Sequence, residues 1–384
     1  MSYLSLVIFS NGFEIIKIRI MIDSNKKQSF TPSINQPTNM QAPVSKIPQL
    51  KNVAILRTIA IIGVVLYHSY CPWFYVWNWY ETPLRPIYSF VFEMVLVGRM
   101  PLFVAVSGYL FCHLYHDRGK YQQFLPFLIN KVKRLLIPCF TFSVLIAIVL
   151  DKNYIDCILY SDTHLWFIKM LFWCFITTWL LFQITKKNRV WGWVIFFASL
   201  LLWIIPEIKI FGFGQFCKYF CFFWMGSMMY YYRKQFEDFL KAKKLKYLIG
   251  LWLLIVLISG FYYYSHPELV MGDIVNSSKY IVLLRLLLRF LDVFVVFGLV
   301  DTLLNRWNRE FYVVTEFNKL TYGIYLFHFL IIQSFHKYLP ADLLESLGNH
   351  SLTTPVVLFI ISFGLSYIFS YLIKKTKIGI YIVG

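Results

Sequence analysis

From Lys51 onward the chain alternates between long apolar runs and short polar connections, and the runs keep nearly one length. Ten can be read, at about 52–70, 87–112, 133–150, 164–184, 190–206, 211–232, 246–264, 279–303, 320–338 and 353–373. Each holds about 17–26 residues, which as a helix covers the roughly 30 Å of a bilayer's hydrocarbon. The predicted fold is all-α, a polytopic bundle of about ten transmembrane helices. Residues 51–376 form this membrane domain, and 377–384 are a short cytoplasmic tail.

Residues 1–50 follow a different pattern. Tyr3–Ile22 is apolar but interrupted by Glu14, Lys17 and Arg19, with no small-residue cleavage site after it, which argues against a signal peptide or a clean span. The polar tract from Asp23 to Pro48 reads as a disordered cytoplasmic leader. Met21 and Met40 are alternative starts to Met1.

Composition agrees with a lipid setting, since 59% of residues are hydrophobic and only 15% are charged, too few to cover a water-facing surface of this size. Five of the seven cysteines lie inside apolar runs, which excludes a disulfide framework. Cys217 and Cys221 share a helical face without nearby histidine, so packing explains them better than a metal does.

The net charge of +18 raises the question of nucleic acid, and its distribution answers it. Alternate connections are basic: Arg118 to Arg134, Lys186 to Arg189, Arg233 to Lys246, Arg306 to Lys319, and the tail Lys374 to Lys377. The opposite set carries Asp151, Asp156, Asp162, Glu207, Glu268, Asp273, Asp342 and Glu345 against few cations. By the positive-inside rule both termini are cytoplasmic, which needs an even number of spans. The charge excess is therefore topology, and no nucleic-acid partner is expected.

Ionisable residues within the spans carry the functional signal, because each costs a few kcal/mol at membrane depth. Arg57 and His68 have ten residues between them on the first span. Eleven helical steps return them to within about 20° of one face, roughly 16 Å apart along the axis. Snorkelling by Arg57 and an interfacial place for His68 is the simpler alternative. On the second span Arg99 precedes Pro101, which invites a kink, and Ser107-Gly108, which allows close helix approach; Glu93 is the candidate partner for Arg99. Lys133 and Arg134 open the third span and suit either a phosphorylated ligand or the anionic lipid surface. His164 and Trp166 open the fourth on the outer side, where an aromatic belt is the alternative. Arg285, Arg289 and Asp292 share one face, as an internal salt-bridge cluster would, and Tyr325 and His328 share a stripe as a candidate hydrogen-bonded pair.

No Walker loop, dinucleotide fingerprint, nucleophile elbow or zinc spacing is present, so chemistry falls to these His, Arg and Ser residues. In this order the segments resemble the acyltransferase-3 family of integral membrane acyltransferases. The matching pieces are Arg57 and His68 at their spacing, MPLFVAVSGYLF at 100–111, KRLLIP at 133–138, HLWFI at 164–168 and LTYGIYLFH at 320–328. Many relatives carry His where this chain has Arg99.

The resemblance implies a bundle of about ten helices that moves an acyl group, commonly acetyl or succinyl, from cytoplasmic acyl-CoA to a hydroxyl of an envelope or exported glycan. It places the chain in a bacterial inner membrane, with acyl-CoA as donor substrate and no permanently bound cofactor or metal. Arg57 and His68 would be the pair most tied to activity, His68 as general base with an unperturbed pKa near 6.5 suited to that work. Arg57, Lys133, Arg134 and Ser107 would serve the donor, and His164, Trp166, Glu93 and Arg99 the acceptor side. The competing class is a transporter or flippase for a glycan or small anionic solute, which inverted repeats would favour; none is evident between the halves.

Overall fold

The computed structural model describes residues 48–74, 77, 79–160, 163–185, 190–205, 208–240, 242–265, 279–306, 312–377 and 379–383. Residues 1–47, and with them nearly all of the expected leader, lie outside the described residues. All ten apolar runs fall on helix. Among the described residues there is no strand, only an isolated bridge between Tyr160 and Ile210.

In chain order the helices are α1 (Pro48–Tyr70), α2 (Arg85–Phe90), α3 (Arg99–His116), α4 (Phe124–Lys131), α5 (Ile137–Leu150) and α6 (Tyr154–Leu159). Then come α7 (Trp166–Thr185), α8 (Val190–Leu201), α9 (Phe213–Tyr231), α10 (Arg233–Phe239) and α11 (Ala242–Ser265). The chain continues through α12 (Lys279–Arg306), α13 (Tyr312–Asn318), α14 (Thr321–Tyr338), α15 (Ala341–Asn349), α16 (Thr354–Lys374) and α17 (Gly379–Ile382). Six stretches are long and apolar enough to cross a membrane: Asn52–Trp73, Arg85–His116, Phe124–Leu150, Trp166–Thr185, Lys243–Tyr262 and Thr354–Lys374. Val190–Ile204 is apolar but shorter. The other expected spans, α9, α12 and α14, are helices of 19, 28 and 18 residues.

Burial sorts these helices into a centre and a rim. Every residue of α9 from Phe220 to Tyr230 is buried, as is every residue of α14 from Gly323 to Ile332. On the rim, Leu253, Leu254, Leu257 and Ile258 of α11 and Val356, Val357 and Ile360 of α16 are exposed. Apolar rows of that kind are stable in lipid and not in water. All seven cysteines are free and buried.

The central pair, α3 against α9, is made by glycine. A Cβ at Gly108 would strike the Phe223 carbonyl oxygen, and one at Gly226 would strike that of Ala105. Small residues let backbones approach where lipid offers no hydrophobic drive for association. The Ser227 hydroxyl uses that approach to donate across the pair to Gly108 O at 3.1 Å. A second seam uses serine: Ser362, Ser366 and Ser370 of α16 are all buried, and a Cβ on Gly323 of α14 would meet the Ser370 side chain.

Two expected spans are not continuous α-helix. In the second, Val91–Val95 forms a π turn and the chain breaks before α3; in the third, Val132–Leu136 is a π turn between α4 and α5. Pro101 accounts for the first break, since it cannot donate to the preceding turn. The third span also starts earlier than its apolar run. Lys131, expected in a basic connection, is instead buried with its ammonium 3.4 Å over the Phe175 ring and 5.0 Å over Tyr121. The rings supply the negative faces that let a cation sit there.

The expected cluster on α12 is also rearranged. Asp292 accepts from the Trp252 indole and lies against Gly98, while the Arg289 guanidinium stands 5.3 Å over the Trp203 ring. Asp292 thus takes its hydrogen bond from a neighbouring helix, while Arg289 and Arg99 remain within electrostatic reach of it. At the other end of the chain, α17 packs back so that Val383 is 2% exposed.

The glycine contact gives a direct prediction. Gly226→Leu forces α3 and α9 apart and costs about 1–3 kcal/mol or more as overpacking. Gly250 of α11 has open space beside it. Thermal unfolding in detergent should therefore show a lowered midpoint for Gly226→Leu and no loss for Gly250→Leu.

Candidate active site

The two polar residues of α1 mark two ends of one internal feature. At the first end, Arg57 donates to the Thr321 hydroxyl at 3.4 Å, and its guanidinium lies 6.0 Å from the centre of the Phe103 ring. Thr321 is the first residue of α14, and its cap residue Leu320 provides no side-chain bond. Arg134 is within electrostatic reach of Arg57, and Lys374 within reach of both. Lys374 also donates to Lys319 O at 2.7 Å, and Lys319 pairs with Glu316 at 2.6 Å.

Of the residues expected to serve a donor, Arg57 and Arg134 are brought together. Lys133 is exposed on the same π turn as Arg134. Ser107 gives its hydroxyl to Phe103 O at 2.8 Å, one turn back along α3 and beside the Arg57 end.

At the second end three histidines converge. His68 Nδ1 lies 3.1 Å from His328 Nε2, and the His164 ring centre is 5.3 Å from that of His328. Helix geometry sets the first two, since each uses Nδ1 on a carbonyl four residues back: His68 on Val64 O at 3.0 Å, and His328 on Ile324 O at 3.1 Å. His164 stacks on Phe329 with ring centres 4.5 Å apart, and Tyr325 donates to its backbone carbonyl. Both ring nitrogens of His164 are buried without a hydrogen-bond partner. The backbone of Tyr325 and Leu326 stands close enough to act on the ring electrostatically.

The segment before His164 is fixed from below. Lys169, 1% exposed, donates to Tyr160 O at 2.7 Å and to Cys157 O at 3.2 Å. Above the cluster, Trp77 stacks on His68 at 5.9 Å and on Trp79 at 4.8 Å, and Trp79 stacks on His336 at 3.7 Å.

Arg99 lies between the two ends. Its Nη1 donates to Phe92 O at 2.8 Å and Leu96 O at 2.9 Å, and the guanidinium sits 3.6 Å over the Tyr67 ring. The break before Pro101 leaves backbone acceptors there, so carbonyls and a ring hold Arg99 where the Glu93 carboxylate was expected. Arg99 is also within electrostatic reach of His68. Gly63 of α1 admits it, because a Cβ there would stand 3.4 Å from that of Arg99.

Two other expectations change. Tyr325 spends its hydroxyl on His164 O, in the turn before α7, and not on His328. Trp166 packs on Tyr219 at 5.4 Å and on Phe167 at 6.0 Å, one step away from the histidines.

Sequence reasoning passed over His328 as a partner of His68, and Trp77 and Phe329 as walls. The separation of 260 residues hides the first. The density of aromatics in the segment from Trp73 to Tyr80 was the available sign of the second.

Tyr325→Phe should leave the His164 carbonyl with the Phe167 N–H at 3.3 Å as its remaining donor, at a cost of about 0.5–1.5 kcal/mol. Chemical denaturation of the purified variant in detergent measures it, and a midpoint equal to wild type would contradict the contact.

Against known proteins, the model of the acyltransferase-3 family, described as an acyltransferase domain, matches residues 50–375. No curated protein and no solved structure matches the chain.

Proposed function

The chain belongs to the acyltransferase-3 family and is an integral membrane acyltransferase; from that premise we propose that it moves an acyl group, acetyl or succinyl, from cytoplasmic acyl-CoA to a hydroxyl of an envelope or exported glycan. The observation that carries this reading is the division of α1, with cations at the Arg57 end and three histidines at the His68 end.

In this reading ten helices cross a bacterial inner membrane with both termini in the cytoplasm, following the basic connections. The Arg57 end then faces the compartment that holds acyl-CoA. Arg57, Arg134 and Lys133 neutralise its phosphates, with Lys374 beside them. The flexible arm of the donor runs along α1 past Ser107, across roughly 16 Å of helix, and brings the thioester to His68. The glycan approaches from the other side, past Trp166, Glu93 and His164.

Transfer is direct. His68 takes the proton from the acceptor hydroxyl as its oxygen bonds to the acyl carbon. The carbon–sulfur bond then breaks, and His68 returns the proton to the departing thiolate. Arg99, held by its two carbonyls and the Tyr67 ring, contributes a fixed positive field where negative charge develops on the acyl oxygen.

Membranes carrying wild type, His68→Ala or Arg57→Gln, supplied with labelled acetyl-CoA or succinyl-CoA, test this reading. His68→Ala should lower turnover by about 10²–10⁴-fold, the usual worth of a general base. Arg57→Gln should raise KM for the donor about tenfold, as loss of a charged hydrogen bond of roughly 1.5 kcal/mol would. Mass spectrometry of the envelope glycans identifies the acyl group from the mass added. Equal label in wild type and His68→Ala contradicts the base, and solute uptake without any acyl transfer contradicts the reaction.

A further inference from the structure

The hydrogen bonds of the histidine pair allow only one arrangement of protons when both rings are neutral. A backbone carbonyl oxygen accepts and never donates, so the contact of His68 Nδ1 with Val64 O at 3.0 Å puts hydrogen on Nδ1. The contact of His328 Nδ1 with Ile324 O at 3.1 Å does the same for His328. Each neutral ring has one N–H, so His328 Nε2 carries a lone pair. That lone pair stands 3.1 Å from His68 Nδ1 and takes a share of its hydrogen. His68 Nε2 is then the nitrogen left without a proton, and among the described residues it has no hydrogen-bond partner.

We propose that His328 is a positioning residue for the acyl transfer: its Nε2 accepts from His68 Nδ1–H, reinforces the tautomer that Val64 O sets and that leaves His68 Nε2 as the base, and steadies the imidazolium formed in the reaction. This rests on the acyltransferase reading above.

The chemistry is that of a base oriented by a second acceptor. When His68 Nε2 takes the hydroxyl proton, the ring becomes cationic and its Nδ1–H becomes a stronger donor. A carbonyl alone supports that hydrogen through one bond along the helix. His328 Nε2 adds a second acceptor from another helix, one whose basicity matches the donor. When the proton goes from Nε2 to the thiolate, the pair returns to its starting tautomers, with no net proton held.

The surroundings suit this role more than simple filling of space. His328 is 0% exposed, and its Nδ1 bond to Ile324 O prevents the ring from turning without loss. His68 is clamped from the sides by Trp77, at 5.9 Å and nearly parallel, and by Tyr67 and Phe329 edge-on at 5.2 and 6.0 Å. Flat walls of that kind fix the plane of the His68 ring but do not choose which nitrogen carries hydrogen. Only the acceptors on Nδ1 do that. The contact also joins α1 to α14, the two helices whose other ends meet through Arg57 and Thr321.

The test uses the full chain in lipid nanodiscs with three variants. His328→Phe keeps a ring of similar shape without nitrogen, and His328→Gln sets an amide oxygen near the place of Nε2, where it accepts. His68→Ala supplies the background. With saturating acyl-CoA, His328→Phe should lower kcat by about 10–100-fold, the usual effect of losing an orienting partner, while KM for the donor stays within about twofold. His328→Gln should recover most of that loss. In the His68→Ala background His328→Phe should have no further effect, because the two residues act as a unit.

A ¹⁵N spectrum of histidine-labelled protein, with the His68 signals identified by their absence in His68→Ala, reads the tautomer without any turnover. Hydrogen on Nδ1 in all three proteins, held by Val64 O, with the Nδ1 resonance of His328→Phe displaced from that of wild type and His328→Gln by loss of the second acceptor, is the expected result. The proposal is overturned if His68 carries its hydrogen on Nε2 in wild type, if His328→Phe turns over as fast as wild type, or if the Gln and Phe variants are equally impaired. An Nδ1-protonated His68 in a wild type that transfers no acyl group would support the pairing and sink the acyltransferase reading instead.

Discussion

The contact between His68 Nδ1 and His328 Nε2 ties the first helix to α14, and the rest of the site is arranged around that tie. In hydrocarbon an imidazole without partners is costly, so each ring is satisfied first by its own helix and then by the other. With α1 and α14 joined there, their opposite ends meet through Arg57 and Thr321, and the chain's cations collect around that second meeting point. One pair of helices therefore carries a polar group at each end and an apolar stretch between them. That stretch is where α3 places Arg99.

Arg99 shows how local irregularity serves the same design. A regular helix through residues 85–116 would consume its own carbonyls and offer a buried guanidinium no acceptor. The π turn Val91–Val95 and the break before Pro101 present Phe92 O and Leu96 O instead. The cation is thereby fixed beside Tyr67 by carbonyls and a ring, with the Asp292 carboxylate within electrostatic reach and His68 within reach on the side of the site. π turns recur where a function needs a side chain off the regular helical path, and the second, Val132–Leu136, carries Lys133 and Arg134.

Much of the fold was legible because lipid punishes polar residues. The ten runs stand out by length alone, and every one is helical. Arg57, His68 and Arg99 stand out for the same reason, as costly residues in otherwise apolar helices. What stayed hidden were contacts set by packing between distant segments. The partner of His68 lies 260 residues away, and the donor that holds His164 was sought on the wrong histidine. Composition also hid the difference between α9, enclosed from Phe220 to Tyr230, and α16, whose apolar face is turned outward. Both read as apolar runs, and only Gly108 and Gly226 distinguish the enclosed one, through a close approach that no single run displays.

The central claim is spatial: a donor held by phosphate at the Arg57 end reaches His68 along α1. Electron cryomicroscopy of the full chain in nanodiscs with a thioether analogue of acyl-CoA, which cannot transfer its acyl group, tests it most directly. The account predicts phosphate density against Arg57 and Arg134 and the acyl carbon beside the His68 ring. Phosphates at the Trp77 end, or an acyl group lodged away from His68 with the phosphates elsewhere on the bundle, would contradict it.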